Sequence, residues 1–196
     1  VIAGGIGRVG LNSTAFLLPL ALQIGFGMSP LAAALITSIS AVGAFLAKPM
    51  LRRSIAQFGY GGVILMVTLA GSALMGGFAL MDEGTGQALI VVAVLALGAV
   101  RTMHFNAVNA LTYSEVADAR LSGSVASAGV FQQLSMGLGI SLGAAVLAFP
   151  VPPGGLPGIG DFQHAFLIMG LVPLLSAPVL VALWAGGRRK PVSQAA

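Results

Sequence analysis

Residues 29–53 read SPLAAALITSISAVGAFLAKPMLRR, and this stretch decides the fold. From Pro30 to Ala47 it contains no charge, and only Thr37, Ser38 and Ser40 are polar. A helix needs about 20 apolar residues to cross a hydrocarbon core roughly 30 Å thick, and this run supplies them. Ser29 followed by Pro30 predicts an N-cap and a first helical residue. Lys48, Arg52 and Arg53 then predict the point where the chain leaves the bilayer on its basic side.

Five further stretches have the same character. Together the six run 1–27, 30–50, 60–81, 87–111, 122–149 and 162–186, and they predict an all-α integral membrane fold, a bundle of six transmembrane helices over 1–187. With 57% hydrophobic and 7% charged residues in 196, the chain has too little polar surface to cover a soluble globule. Seven of the nine basic residues fall in alternate connections or the tail: Lys48, Arg52, Arg53, Arg120, Arg188, Arg189 and Lys190. That alternation predicts a cell-membrane protein with both chain ends cytoplasmic, a cytoplasmic tail 188–196, and connections 25–30, 82–86 and 150–161 outside. The chain opens at Val1 inside an apolar run, which predicts a fragment or a missing upstream part.

Several function classes are excluded by residue type and placement. The net charge of +4 forms no basic stripe, so the basic residues point to anionic lipid and not to nucleic acid. Cysteine is absent, and His104 and His164 lie on different spans without carboxylates at ligand spacing, so no metal and no cofactor is expected. Gly5-Ile6-Gly7-Arg8-Val9-Gly10 matches the dinucleotide-binding fingerprint, but it lacks a preceding strand and an acidic residue about 20 positions on. Its glycines are expected to let the first span bend or pack closely. Asn12-Ser13-Thr14 lies within a span and is expected to stay unglycosylated. No span brings Ser, His and Asp to one depth, and no enzyme is predicted.

Polar residues inside the spans carry the functional reading. Arg8 and Arg101 fall in the cytoplasmic half, about 5–12 Å from the bilayer edge. Each either snorkels to the interface or serves a pocket or gate. Thr102, Asn106, Asn109 and Tyr113 share one face of the fourth span, and Ser124, Ala128, Gln132, Ser135 and Gly139 share one of the fifth, with Gln133 beside it. Such faces act as interhelical hydrogen-bond glue or line a central cavity together with Asn12 and Gln23. Ser135, Gly139 and Gly143 form a small-xxx-small ridge that admits another helix closely. All five acidic residues, Asp82, Glu83, Glu115, Asp118 and Asp161, lie in loops or at span ends, so no intramembrane carboxylate is available to carry a proton.

Three stretches resemble the C-terminal half of a major facilitator superfamily transporter of the EmrB/QacA type, the fourteen-span drug:proton antiporters. They are Phe16–Pro30, Asn106–Arg120, and Ser127–Gly143 with Phe131-Gln132-Gln133-Leu134-Ser135. The resemblance implies one bundle of a two-bundle, alternating-access efflux carrier for multiple drugs or a metabolite, with its cavity near the midplane. It also implies a separate N-terminal half that supplies proton coupling, and a small amphipathic or cationic substrate. Lys48 to Gly59 occupies the place of the superfamily's signature loop, but it lacks the Asp, and Tyr60-Gly61 stands where basic residues often follow. The cavity-lining candidates are Asn12, Phe16, Gln23, Asn106, Asn109, Gln132 and Met136; Arg8 and Arg101 are the gate or anchor candidates. The rival reading is a half-size membrane protein working as a homodimer or scaffold, with Gly139 and Gly143 as its contact.

Overall fold

The computed structural model describes residues 2–114, 121–152 and 154–187, with side chains over 4–112, 129–152 and 154–185. The expected tail 188–196, Arg120, Glu115 and Asp118, and the side chains of Tyr113, Ser124 and Ala128 lie outside these residues. The described chain is helical: α1 (Ile2–Leu20), α2 (Pro30–Ala79), α3 (Gln87–Ser114), α4 (Leu121–Ala148), α5 (Ile159–Leu171) and α6 (Ala177–Gly187). Five of its helical stretches are long and apolar enough to cross a membrane, with α5 and α6 joined in one of them.

Local chemistry explains where these helices bend. Pro19 has no N–H to give the preceding turn, and the chain widens into a π-turn over Ala21–Gly25. Gln23 Nε2 donates to the Pro19 carbonyl at 3.2 Å there. Pro173 introduces a 3-10 stretch, Val172–Ser176, between α5 and α6, closed by Ser176 Oγ donating to the Pro173 carbonyl at 2.6 Å. The expected sixth span is one apolar stretch, Ile159–Ala185, with a 3-10 stretch inside it. Ser29 caps α2 as expected, accepting from Ala32 N at 3.3 Å, and Pro30 is its first residue.

α2 differs from expectation. It runs 50 residues, and its one non-helical residue is Gly59 at φ 68° and ψ 171°. No atom lies within 4 Å of where a Gly59 side chain would begin, so glycine is required there by conformation and not by space. The loop predicted over 51–59 is helical up to Phe58. The reason is tertiary: Leu51 and Ile55, one turn apart, pack on a buried cluster, while Arg52, Arg53 and Gln57 stay exposed.

Two apolar clusters sit toward opposite ends of the bundle. One gathers Leu22, Phe78, Met81, Ile90, Phe162 and Phe166, with the Phe78 and Phe166 rings stacked at 5.4 Å. There Gln163 Nε2 donates to the Met81 carbonyl at 2.7 Å, tying α5 to the end of α2. The other holds Val63, Ile64, Val67, Ala107, Val108 and Leu180. The polar turn at Asp82, where Gly84 N donates to Oδ1 at 3.0 Å, closes the first end.

Helices in lipid gain little by hiding apolar surface from one another, so close packing must hold them. Glycine makes that possible at every main seam. Gly43 of α2 faces the Leu95 carbonyl of α3, and Gly98 of α3 faces the Ser40 carbonyl in return. Gly139 of α4 faces the Val9 carbonyl of α1, and a Cβ at Gly143 would lie 3.0 Å from Ser13 Cβ. The fingerprint-like string at 5–10 lies within α1, where Gly7 abuts His104 and Gly10 abuts Pro173. These glycines serve packing, as expected.

Candidate functional site

Between the two apolar clusters runs a layer of buried polar groups. α1 contributes Arg8, Asn12, Ser13 and Thr14, the later limb of α2 gives Thr68, and α3 gives His104. Ser13, Thr14 and Thr68 return their hydroxyls to their own helix carbonyls at 2.6–2.7 Å, which removes three donors from the apolar interior. The larger groups must be satisfied across helices, because an unpaired charge at this depth costs several kcal/mol or more.

Arg8 is 4% exposed, so it does not snorkel. Its Nη2 donates to Asn109 Oδ1 and, at 3.2 Å, to the Phe105 carbonyl. The guanidinium also lies 4.6 Å from the centroid of the Phe105 ring. Arg8 thus ties α1 to α3 through an amide, a carbonyl and a π-face. Arg101 makes a second tie, Nη2 to Asn12 Oδ1 at 3.1 Å, but it is only partly buried. His104 is fully buried against Gly7, and neither ring nitrogen has a hydrogen-bond partner among the described residues.

Beside this layer a cavity of about 610 Å³ opens between four helices. α1 lines it with Thr14, Ala15, Leu18 and Pro19, and the first limb of α2 with Thr37, Ser40, Ala41 and Ala44. α3 adds Leu97, Gly98, Arg101, Thr102, Phe105 and Asn106; α4 adds Gln132 and Met136. The size suits a drug-like molecule, and the wall combines apolar surface with a few hydroxyls, two amides and one cation.

Three of the seven cavity candidates, Asn106, Gln132 and Met136, are on this wall, with Arg101. The other four lie elsewhere. Asn12 is fully buried behind the wall, held by Arg101. Asn109 accepts from Arg8, Phe16 packs on the first apolar cluster, and Gln23 bonds its own helix in the π-turn. Lys48, with its ammonium 5.7 Å from the Phe45 ring, and Arg52 and Arg53 stand outside the cavity lining, on the Gly59 side of α2. Sequence reading missed Thr37, Ser40 and Phe105. The signal for the first two was present: Thr37, Ser40 and Ala44 recur at three- and four-residue steps in an otherwise apolar run.

The small-residue ridge of α4 is occupied within the chain. Ser135, Gly139 and Gly143 are at its buried face, the two glycines against α1, so the contact expected of a homodimer is already filled. No metal-holding group of three or more His, Cys, Asp or Glu side chains occurs among the described residues.

Comparison with known proteins gives one consistent result. Over 183 residues, 92% of its length, the chain is 27% identical to a "Putative multidrug resistance protein MdtD" of Pectobacterium carotovorum. Proteins of the same name are 30% identical over 81% of the chain in Serratia proteamaculans and over 89% in Cronobacter sakazakii. These alignments cover 39%, 31% and 38% of the three relatives, so the chain spans less than two fifths of their length. No family model matches the chain, and no solved structure matches it.

Proposed function

From a chain homologous over about nine-tenths of its length to multidrug resistance proteins of the major facilitator superfamily, we propose that it forms one six-span bundle of a proton-coupled, alternating-access efflux carrier. The observation that carries this reading is the 610 Å³ cavity, whose wall is part apolar and part polar, set among residues from the middle of four helices. Small amphipathic molecules are its substrates, expelled without covalent chemistry.

Helix length supports the count of six spans. At about 1.5 Å per residue α2 would measure roughly 75 Å, more than twice a hydrocarbon core. Gly59 divides it into two limbs, each long enough to cross. Lys48, Arg52 and Arg53 support a cytoplasmic Gly59 side, and with it cytoplasmic chain ends.

A second bundle completes the carrier. The exposed face of α4 bears Gln133 and Ser141 among its apolar side chains, and the stretch Gly129–Ala148 as a whole has a mean hydropathy of 1.5 against 2.4 for Ile159–Ala185. Such a face suits protein or water better than acyl chains. Proton coupling belongs to that partner bundle, since the described carboxylates Asp82, Glu83 and Asp161 are in a turn and a first helical turn. No observation supports the homodimer or scaffold reading, whose glycine contact is filled.

Efflux of a dye panel from cells expressing the intact gene product tests the assignment. Asn106→Ala and Gln132→Ala should each cut efflux of part of the panel by about tenfold at unchanged membrane abundance. Unchanged efflux of every dye in both variants would remove the cavity from the transport path.

A further inference from the structure

The cavity wall carries a cation with no carboxylate partner among the described residues. Arg101 has one hydrogen bond, to the neutral amide of Asn12, and no ion pair among the described residues. Its Nη2 is committed to that bond, and the remaining donors of its five are free to face the cavity it lines. A guanidinium at membrane depth is costly without a counter-charge, and the described carboxylates lie at the ends of helices, far along the chain from this wall. On the same wall the amides of Asn106 and Gln132 and the Thr102 hydroxyl supply donors, the Thr37 and Ser40 hydroxyls being turned to their own helix carbonyls, and Leu18 and Phe105 supply apolar surface.

We infer that the cavity takes amphipathic organic anions, with a carboxylate or sulfonate on Arg101 and an apolar body against Leu18 and Phe105. This rests on the reading of the cavity as a substrate site, and of the amphipathic or cationic substrate that the sequence resemblance implied it keeps the amphipathic character and gives it a negative charge. The ligand's acid group provides the counter-charge, so its binding relieves the cost of burying Arg101. Planar carboxylate and guanidinium groups can pair through two parallel hydrogen bonds, which orients the ligand. Asn12, fully buried behind, fixes the direction in which the guanidinium points.

This chain has no cysteine, so replacing any cysteine elsewhere in the gene product by serine gives a thiol-free background for a direct test. Ser40→Cys puts a single thiol on the wall, and Leu156→Cys puts one in the exposed connection after α4 as the control. Each is treated, in the intact gene product in vesicles, with anionic sulfonatoethyl and cationic trimethylammonium-ethyl methanethiosulfonate. The anion-to-cation rate ratio at Ser40→Cys should exceed that at Leu156→Cys by about tenfold or more. Arg101→Lys should keep most of the excess and Arg101→Gln should abolish it, with the Leu156→Cys rates unchanged as a check on folding. Benzoate should slow modification of Ser40→Cys, whereas neutral benzamide and cationic benzamidine of the same size should not. An equal or inverted ratio, or protection by benzamidine, would overturn the anion assignment while leaving the cavity standing. If neither reagent reached Ser40→Cys while both reached Leu156→Cys, the substrate-cavity reading itself would fall.

Discussion

α1 and α4 are both glycine-rich and similarly polar for membrane helices, with mean hydropathies of 1.2 and 1.5, yet they occupy opposite situations. In α1, 61% of the apolar window is buried; in α4, 22% is. α1 meets all five other helices, whereas α4 meets α1 along one stripe, touches α3 and α5 only slightly, and leaves much of its remaining surface open. Overall polarity does not separate the two. What separates them is how the small residues are distributed around the axis. α1 has glycines facing α3, α4 and the α5–α6 bend, so it can be approached from several sides. In α4 the buried residues Ser135, Gly139, Gly143 and Leu147 recur every four positions, a single seam.

The sharpest way to break this comparison lies within α4 itself. Gly139→Ala would drive a Cβ into the Val9 carbonyl and should cost about 2–3 kcal/mol. Gly137→Ala, two residues away with nothing within 4 Å, should gain about 0.5–1 kcal/mol by stiffening the helix. Thermal unfolding in detergent should therefore show shifts of opposite sign; equal shifts would mean that the seam does not exist. Next in size is the contrast between the two arginine ties of α1. Arg8→Gln removes a buried side chain with two hydrogen bonds and a ring contact, and should cost about 2 kcal/mol. Arg101→Gln loses one bond at a partly open site and should cost under about 1 kcal/mol by the same assay. The smallest effect belongs to the open face of α4, where Gln133→Leu should stay within about 0.5 kcal/mol.

The sequence made some of this legible and hid the rest for identifiable reasons. Membrane-crossing stretches are a matter of composition over about 20 residues, so most appear directly. The Ser29 cap is equally local. Residues 51–58 read as a loop because their helicity depends on Leu51 and Ile55 finding the Val63 cluster, a partner that no local pattern names. The π-turn after Pro19 and the 3-10 stretch at Pro173 depend on a geometry that the prolines alone do not specify. In the site, Thr102 and Asn106, one four-residue step apart on α3, both line the cavity. The next step, to Asn109, passes to Arg8 instead, and Asn12 turns to Arg101. A helical face says that a polar side chain needs company; it does not say whether that company is a ligand or another helix.

The glycine seams also have a mechanical consequence. Where Gly43 and Gly98 bring α2 and α3 together, and Gly139 brings α4 to α1, main chain lies against main chain. Such contacts have no rotamers to exchange and no side-chain layer to shear. Two helices joined this way are closer to a welded joint than to a bearing. Any change of shape in the bundle must therefore pass around these joints, either by moving α1 to α4 as one block or by flexing where the helices already bend, at Ala21–Gly25 and Val172–Ser176.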